Sequence, residues 1–189
     1  MRELIIASVA MLCMAAPLPV VADQDDPRLE ELFDELQQLD PRRGQRAREI
    51  QGQIWHIWYL HEDARVNQAM ERGLKALAQD RHEDAVAAFT RVIELDGDFA
   101  EAWNRRATTY YVMGRYEDSL SDIERVLALE PRHFGALAGR GLCLKALGRR
   151  REALKAFQRH WRSIPTGRVC IWKSSACAPS WVRPPNGSR

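Results

Sequence analysis

Polar and apolar positions alternate in helical rhythm from about residue 26 to about residue 160 of this chain. Leu29, Leu32, Phe33, Leu36 and Leu39 recur at the spacing of one helical stripe. Asp26 and Pro27 in front of them supply an N-cap and a first helical residue. Asp40-Pro41 opens a second helix in the same way. Its stripe is Ala47, Ile50, Ile54, Ile57 and Trp58, with Trp55 beside it. Gly52 weakens that helix by up to about 1 kcal/mol. Further along, Trp103, Ala107, Tyr110 and Gly114 keep an i, i+4, i+7, i+11 rhythm, which places Trp103 in the core. Gly114 stands at the helix end, where a positive φ costs glycine least. Ser119, Ile123, Val126 and Leu127 mark the next helix. Pro131 follows its end, where a missing N–H does little harm.

The pattern then repeats with a period of 34 residues, in units 66–99, 100–133 and 134–165. Gly73, Ala107 and Gly141 share one offset, and Ala85, Ser119 and Ala153 share another. Phe89, Ile123 and Phe157 share a third, and Pro131 and Pro165 close the second and third units. Set against the signature W-x2-L-G-x2-Y…A-x3-F…P, the chain resembles the tetratricopeptide repeat (TPR) family over about residues 66–157. The resemblance implies an all-α fold, a solenoid of three helix-turn-helix repeats over residues 62–165. One helix pair cannot bury its own apolar face, so neighbours must stack, and about three repeats are needed for stability. Residues 23–61 then read as a helical hairpin that caps the open end, with Trp55 and Trp58 packed on the first repeat. The alternative for these two rings is a ligand platform.

The resemblance also implies a binding face. In this family the concave surface is lined by the first helix of each pair. Leu74, Leu77, Asn104, Thr108, Tyr111, Leu142 and Lys145 are thereby expected to point into it. Asn104, Thr108 and Tyr111 are spaced i, i+4, i+7 and share a helix face. Such a groove suits an extended or helical peptide, with Asn104 bonding its backbone and the leucines taking side chains. The family's carboxylate clamp, which holds a chaperone's C-terminal acid, is not reproduced. Only Asn104 resembles a clamp member, and Met70, Leu74, Ala138 and Gly139 stand where polar or basic members would be. That disfavours a cytosolic Hsp90-type co-chaperone. Arg72, Arg106 and Arg140 recur at one repeat position, where leucine is usual. They read as a ladder for an acidic partner or as packed stems paired with a neighbouring helix; the second reading is preferred.

Charge changes this picture little. With 28 basic and 26 acidic residues the net charge is +2, which argues neither for nor against nucleic acid; a protein or peptide partner is expected, and no nucleic acid. Its distribution is uneven. Residues 23–40 hold eight acids and one base, and residues 140–159 hold seven bases and one acid. Solvated helix faces account for this, and the alternative is an acidic arm docking on a basic end.

The two ends differ in kind from the rest. Arg2 precedes an uncharged apolar stretch ending in Val20 and Ala22 at the −3 and −1 positions of a small-residue cleavage site. Residues 1–22 thus read as a secretory signal peptide cut after Ala22. The protein is expected in a bacterial periplasm or secreted, touching membrane only if the segment stays uncleaved. After Arg159 the repeat grammar stops. Residues 160–189 carry three of the six tryptophans, two of the four cysteines, five bases and no acid. Tryptophan has a single codon, and reading one base earlier forces Leu at position 161 and Glu after position 172. Residues 166–189 read as a disordered basic tail produced by translation out of frame. The alternatives are a native disordered tail or an aromatic segment that touches membrane.

Catalytic chemistry is not evident. His56, His61, His82, His133 and His160 lack HExxH spacing, the cysteines form no CxxC, and no phosphate-binding glycine loop is present. No catalytic residue, metal or cofactor is expected. The sequence therefore predicts an exported TPR scaffold that binds a protein or peptide and assembles a complex. The alternative is a structural subunit of a cell-envelope machine, which uses its convex face or acidic arm. An enzyme of unknown type is the third and weakest reading.

Overall fold

A computed structural model of the chain describes residues 24–40 and 43–163. The signal segment and the 166–189 tail lie outside the described residues. Within them the structure is all-helical: α1 (Arg28–Gln38), α2 (Gly44–Tyr59), α3 (Ala64–Ala78), α4 (His82–Leu95), α5 (Ala100–Val112), α6 (Tyr116–Leu129), α7 (Phe134–Ala146) and α8 (Arg150–Ser163). Helices α3/α4, α5/α6 and α7/α8 form three pairs. They stack in order, α4 on α5 and α6 on α7, and the first helices α5 and α7 also touch. No described helix is long and apolar enough to cross a membrane.

The turn inside each pair is the same device. Asp80, Gly114 and Gly148 take φ values of 57°, 76° and 74°. The next residue's N–H then returns to a carbonyl five residues back: Arg81 to Ala76, Arg115 to Tyr110 and Arg149 to Leu144, at 3.0, 2.8 and 2.8 Å. This is the 6→1 bond of a Schellman motif, which satisfies an otherwise orphaned helical carbonyl. The first repeat asks a side-chain-bearing residue to hold a left-handed conformation. Asp80→Gly is therefore expected to raise stability by about 0.5–1 kcal/mol, read as a higher melting temperature. Gln79→Gly, where φ is negative, should lower it.

The helices of a pair meet at a notch. A Cβ on Gly73 would lie 2.4 Å from the Phe89 ring, and one on Gly141 2.5 Å from the Phe157 ring. The second repeat makes the same approach with Ala107 against the slimmer Ile123, both buried. Ser119 donates from Oγ to the Ala107 carbonyl at 2.7 Å and accepts from the Cys143 thiol at 3.2 Å. Trp103 lies at the edge of the core, packed against it and not fully inside. It is half-buried, its Nε1 donates to the Gly97 carbonyl at 2.9 Å, and Arg106 lies over its ring at 4.9 Å. The indole's polar edge and the cation need the loop side, which the stripe alone did not show.

Two of the three recurring arginines pair with a neighbouring helix. Arg106 grips the buried Asp122 carboxylate with two parallel bonds of 2.8 and 2.9 Å, and donates to Thr90 Oγ1 at 3.0 Å. It ties α4, α5 and α6 together. Arg140 pairs with Glu124 of α6 at 3.0 Å, and Arg72 is exposed on α3.

The N-terminal hairpin has its own core. Leu29, Phe33 and Leu36 of α1 meet Ala47, Ile50, Ile54, Ile57 and Trp58 of α2. Two bonds of 2.7 and 2.8 Å join Arg46 to Glu35 across the pair. Asp26 starts α1 by accepting the Arg28 N–H at 2.8 Å. The hairpin's seat differs from the end-cap reading. Tyr59 reaches the first repeat, but Trp55 and Trp58 close on His133 and Phe134 of the third. Helix α2 crosses α5 on the way. The physical reason is Gly135, whose missing side chain leaves the place that the edge of the Trp55 indole fills.

Candidate functional site

Helix α5 carries one continuous stripe on the first-helix face, the concave face of such a solenoid: Glu101, Asn104, Thr108 and Tyr111, at steps of three, four and three residues. The hairpin divides it. Glu101 and Asn104 are buried, and Thr108 and Tyr111 are half-exposed.

The covered half holds a polar cluster centred on Glu101, which is 1% exposed. Its carboxylate accepts from Arg105 Nε, from Asn104 Nδ2 at 2.9 Å and from His133 Nε2 at 3.2 Å. His133 Nδ1 accepts the Ala136 N–H at 3.2 Å, which caps α7 and leaves Nε2 as the protonated nitrogen. Trp58 stacks on this imidazole at 4.2 Å with planes 10° apart, and Trp55 meets it edge-on at 5.3 Å. The Arg105 guanidinium lies over Tyr59 at 4.7 Å and over Trp55 at 5.5 Å, a cation–π arrangement. Burial pushes the Glu101 carboxyl up. The Arg105 charge and the bonds from His133 and Asn104 outweigh that and hold it below the usual carboxylate range. Burial likewise works against the Arg105 charge, and Glu101 overcomes it and keeps the guanidinium protonated.

The open half lies between α5 and α7. Asn104, Thr108, Tyr111, Gly135, Gly139 and Leu142 line a cleft of about 20 Å³, room for one water-sized atom. Of the residues expected in the groove, Thr108, Tyr111 and Leu142 thus come together. Leu74 and Leu77 are half-buried on α3 against the first repeat's core, and Lys145 is exposed near the end of α7. Asn104 lines the cleft, is buried, and donates from Nδ2 to Glu101 at 2.9 Å, which uses one of its amide's hydrogen-bonding positions. The Thr108 hydroxyl donates to the Asn104 carbonyl at 2.9 Å. Burial raises the Tyr111 phenol above its ordinary value. Val112, more than half exposed, continues the apolar rim.

Glu101, Arg105, His133 and Gly135 were absent from the sequence-based site. One signal was present, an acid inside the apolar run Phe99-Ala100-Glu101-Ala102-Trp103. Among the described residues no group of three or more His, Cys, Asp or Glu side chains could hold a metal ion.

Comparison with known proteins agrees with this architecture. The tetratricopeptide repeat model matches residues 100–133. A TPR repeat-containing protein of Rhizobium etli is 40% identical over 143 residues, covering 75% of this chain and 69% of the relative. The chain belongs to the tetratricopeptide repeat family. The three helix pairs span residues 64–163, so this match runs beyond them. DnaJ homolog subfamily C member 3 of Rattus norvegicus is 34% identical over 104 residues, 55% of this chain and 21% of that protein. The chain therefore spans about a fifth of that relative's length. Among solved structures, the second TPR domain of human RPAP3 in complex with the HSP70 peptide SGPTIEEVD superposes with a TM-score of 0.52 at 27% identity. It covers 53% of this chain and 84% of that domain.

Proposed function

We propose that this protein is an exported scaffold that holds a protein or peptide segment on the open half of its first-helix groove and so assembles a complex. The observation that carries the reading is the cleft where Thr108, Tyr111 and Leu142 meet, with Val112 exposed further along the same helix. The RPAP3 domain, of the same fold, is bound to a peptide, which supports a peptide as the class of ligand. The chemistry of the ligand differs. Met70, Leu74, Ala138 and Gly139 offer no charge for a terminal carboxylate, and Asn104 is buried with its amide turned to the Glu101 carboxylate. An apolar or amphipathic segment fits these surfaces. Export rests on the signal-like residues 1–22. TPR proteins are typically scaffolds without catalytic activity, and this one is read as such.

The test is capture from envelope extracts, comparing the wild-type chain with Tyr111→Ala/Leu142→Ala. An aromatic anchor typically contributes about 2 kcal/mol or more to binding, so the bound partner should fall by more than tenfold in a variant that keeps its helix content. A stoichiometric complex indifferent to both changes would instead support the envelope-machine subunit, with its contacts on the convex face or acidic arm.

A further inference from the structure

The stripe on α5 continues from Glu101 to Val112, yet α1 and α2 cover its first turns. The cover is held by side chains more than by close helix–helix approach, which is chiefly that of α2 against α5, and Phe134 and Arg105 add to its ring contacts. The Trp55 ring fits against Gly135, where an added Cβ would come within 2.9 Å of it. Trp58 lies flat on His133. Arg132 lies over the Phe33 ring at 4.3 Å and pairs with Glu30 at 3.0 Å, and Gln24 donates to the Asp98 carbonyl at 2.9 Å. The hairpin's apolar cluster is drawn from α1 and α2, with Phe134 as the buried residue that the solenoid adds. Residues 60–63 alone link it to α3.

The closed arrangement also carries a penalty. Gln51 Nε2 and Trp58 Nε1 find no acceptor in the protein, although these residues are only 3% and 2% exposed. A buried donor without an acceptor bears its full desolvation cost. Both belong to α2, the helix that seats the hairpin, and Trp58 is covered in part by His133 and Phe134 of the seat, so its indole N–H gains access to water when α2 leaves.

We propose that the hairpin is a detachable occupant of the groove. It closes the upper half by docking on Arg105, His133 and Gly135, and yields that surface to a partner helix that carries two aromatic residues three positions apart. The seat specifies this chemistry. Gly135 leaves a gap the width of a ring edge, His133 presents a flat face, and Arg105 presents a cation to the faces of aromatic rings. Trp55 and Trp58 meet all three from one face of a helix, because positions three apart are helical neighbours. The inference rests on the first-helix face being the binding face proposed above. The lid is tested without ligand, so its failure is separable from failure of the groove reading.

The first experiment is amide hydrogen exchange on the full chain and on Gly135→Ala. The added methyl meets the Trp55 ring and His133 and no backbone. Amides of α1 and α2 should exchange as one unit, at least tenfold faster than those of α5 and α6, and a further tenfold faster in the variant, with α3–α8 unchanged. Equal protection of hairpin and solenoid in the wild type, or a joint loss across all eight helices in Gly135→Ala, would overturn the lid. The second uses a fluorescent synthetic peptide of residues 43–60 as probe. It should bind Trp58→Ala, whose own hairpin is loosened, at least tenfold more tightly than the wild type, and lose that binding in Trp58→Ala/Gly135→Ala. Equal binding to all three chains, or to none, removes the seat. Dimers of the wild type formed by exchanged hairpins would make a second copy the occupant and overturn the partner helix.

Discussion

Replacing Arg105 by methionine is expected to cost about 3–5 kcal/mol of stability, the usual consequence of leaving a buried charge without its partner. Glu101 would remain in the core with only the hydrogen bonds from Asn104 and His133, and without the permanent cation that now balances it. Arg105→Met with Glu101→Leu should recover most of the loss, because an apolar pair of similar volume removes the desolvation problem at its source. The pH dependence gives an independent check. In the wild type the folded-state Glu101 carboxyl is held below its ordinary value of 4.5. Its contribution is therefore present above about pH 4.5 and fades as the pH falls through the lower folded value. In Arg105→Met the carboxyl has lost its main counter-charge, and acid relieves the buried anion. The stability gap between the two chains should shrink as the pH falls from 7 to below 4.5 in urea melts, first because the variant recovers and then because the wild type loses stability. A gap that stays constant from pH 7 to pH 3.5 would show that Arg105 acts through packing alone.

Phe89→Ala is expected to cost about 3–5 kcal/mol. The ring is fully buried and fills the notch that Gly73 leaves open, so its removal opens a cavity that no neighbouring Cβ can collapse into. Phe157→Ala, at the same repeat position but half-buried at the last pair, should cost distinctly less. Equal losses at the two positions in thermal melts would mean that the repeats do not differ in burial as described.

The helices and their pairing were legible because both rest on local spacing. Gly114 with its positive φ, and Gly73 and Gly141 under their phenylalanine rings, are dictated within one repeat, so a period of 34 residues reports them. The hairpin was legible as two helices for the same reason. Its docking was not, because the seat is assembled from single departures in different repeats: Glu101 in the second, His133 at the junction, Gly135 in the third. None of these is periodic. Asn104 shows the same limit. Its position on the groove stripe follows from spacing, whereas its use depends on Glu101, three residues away on the same helix, and on what covers them both. The recurrence of Arg72, Arg106 and Arg140 was legible too, but only packing shows that one is a three-helix clasp, one a surface pair and one an exposed residue.

The position of His133 constrains how this array can evolve. One imidazole caps α7, bonds the carboxylate of α5 and carries the indole of α2, so it measures the offset between the second and third repeats. A 34-residue copy of the first unit, 66–99, inserted after residue 133 would separate Glu101 and His133 from Phe134 and Gly135, and the hairpin would be left with half a seat on each side. A duplication beyond α8 leaves all of these relations intact. Repeat number is thus fixed between the second and third pairs and free to grow past the last, which predicts that lengthened relatives with the same hairpin carry their extra units on the C-terminal side.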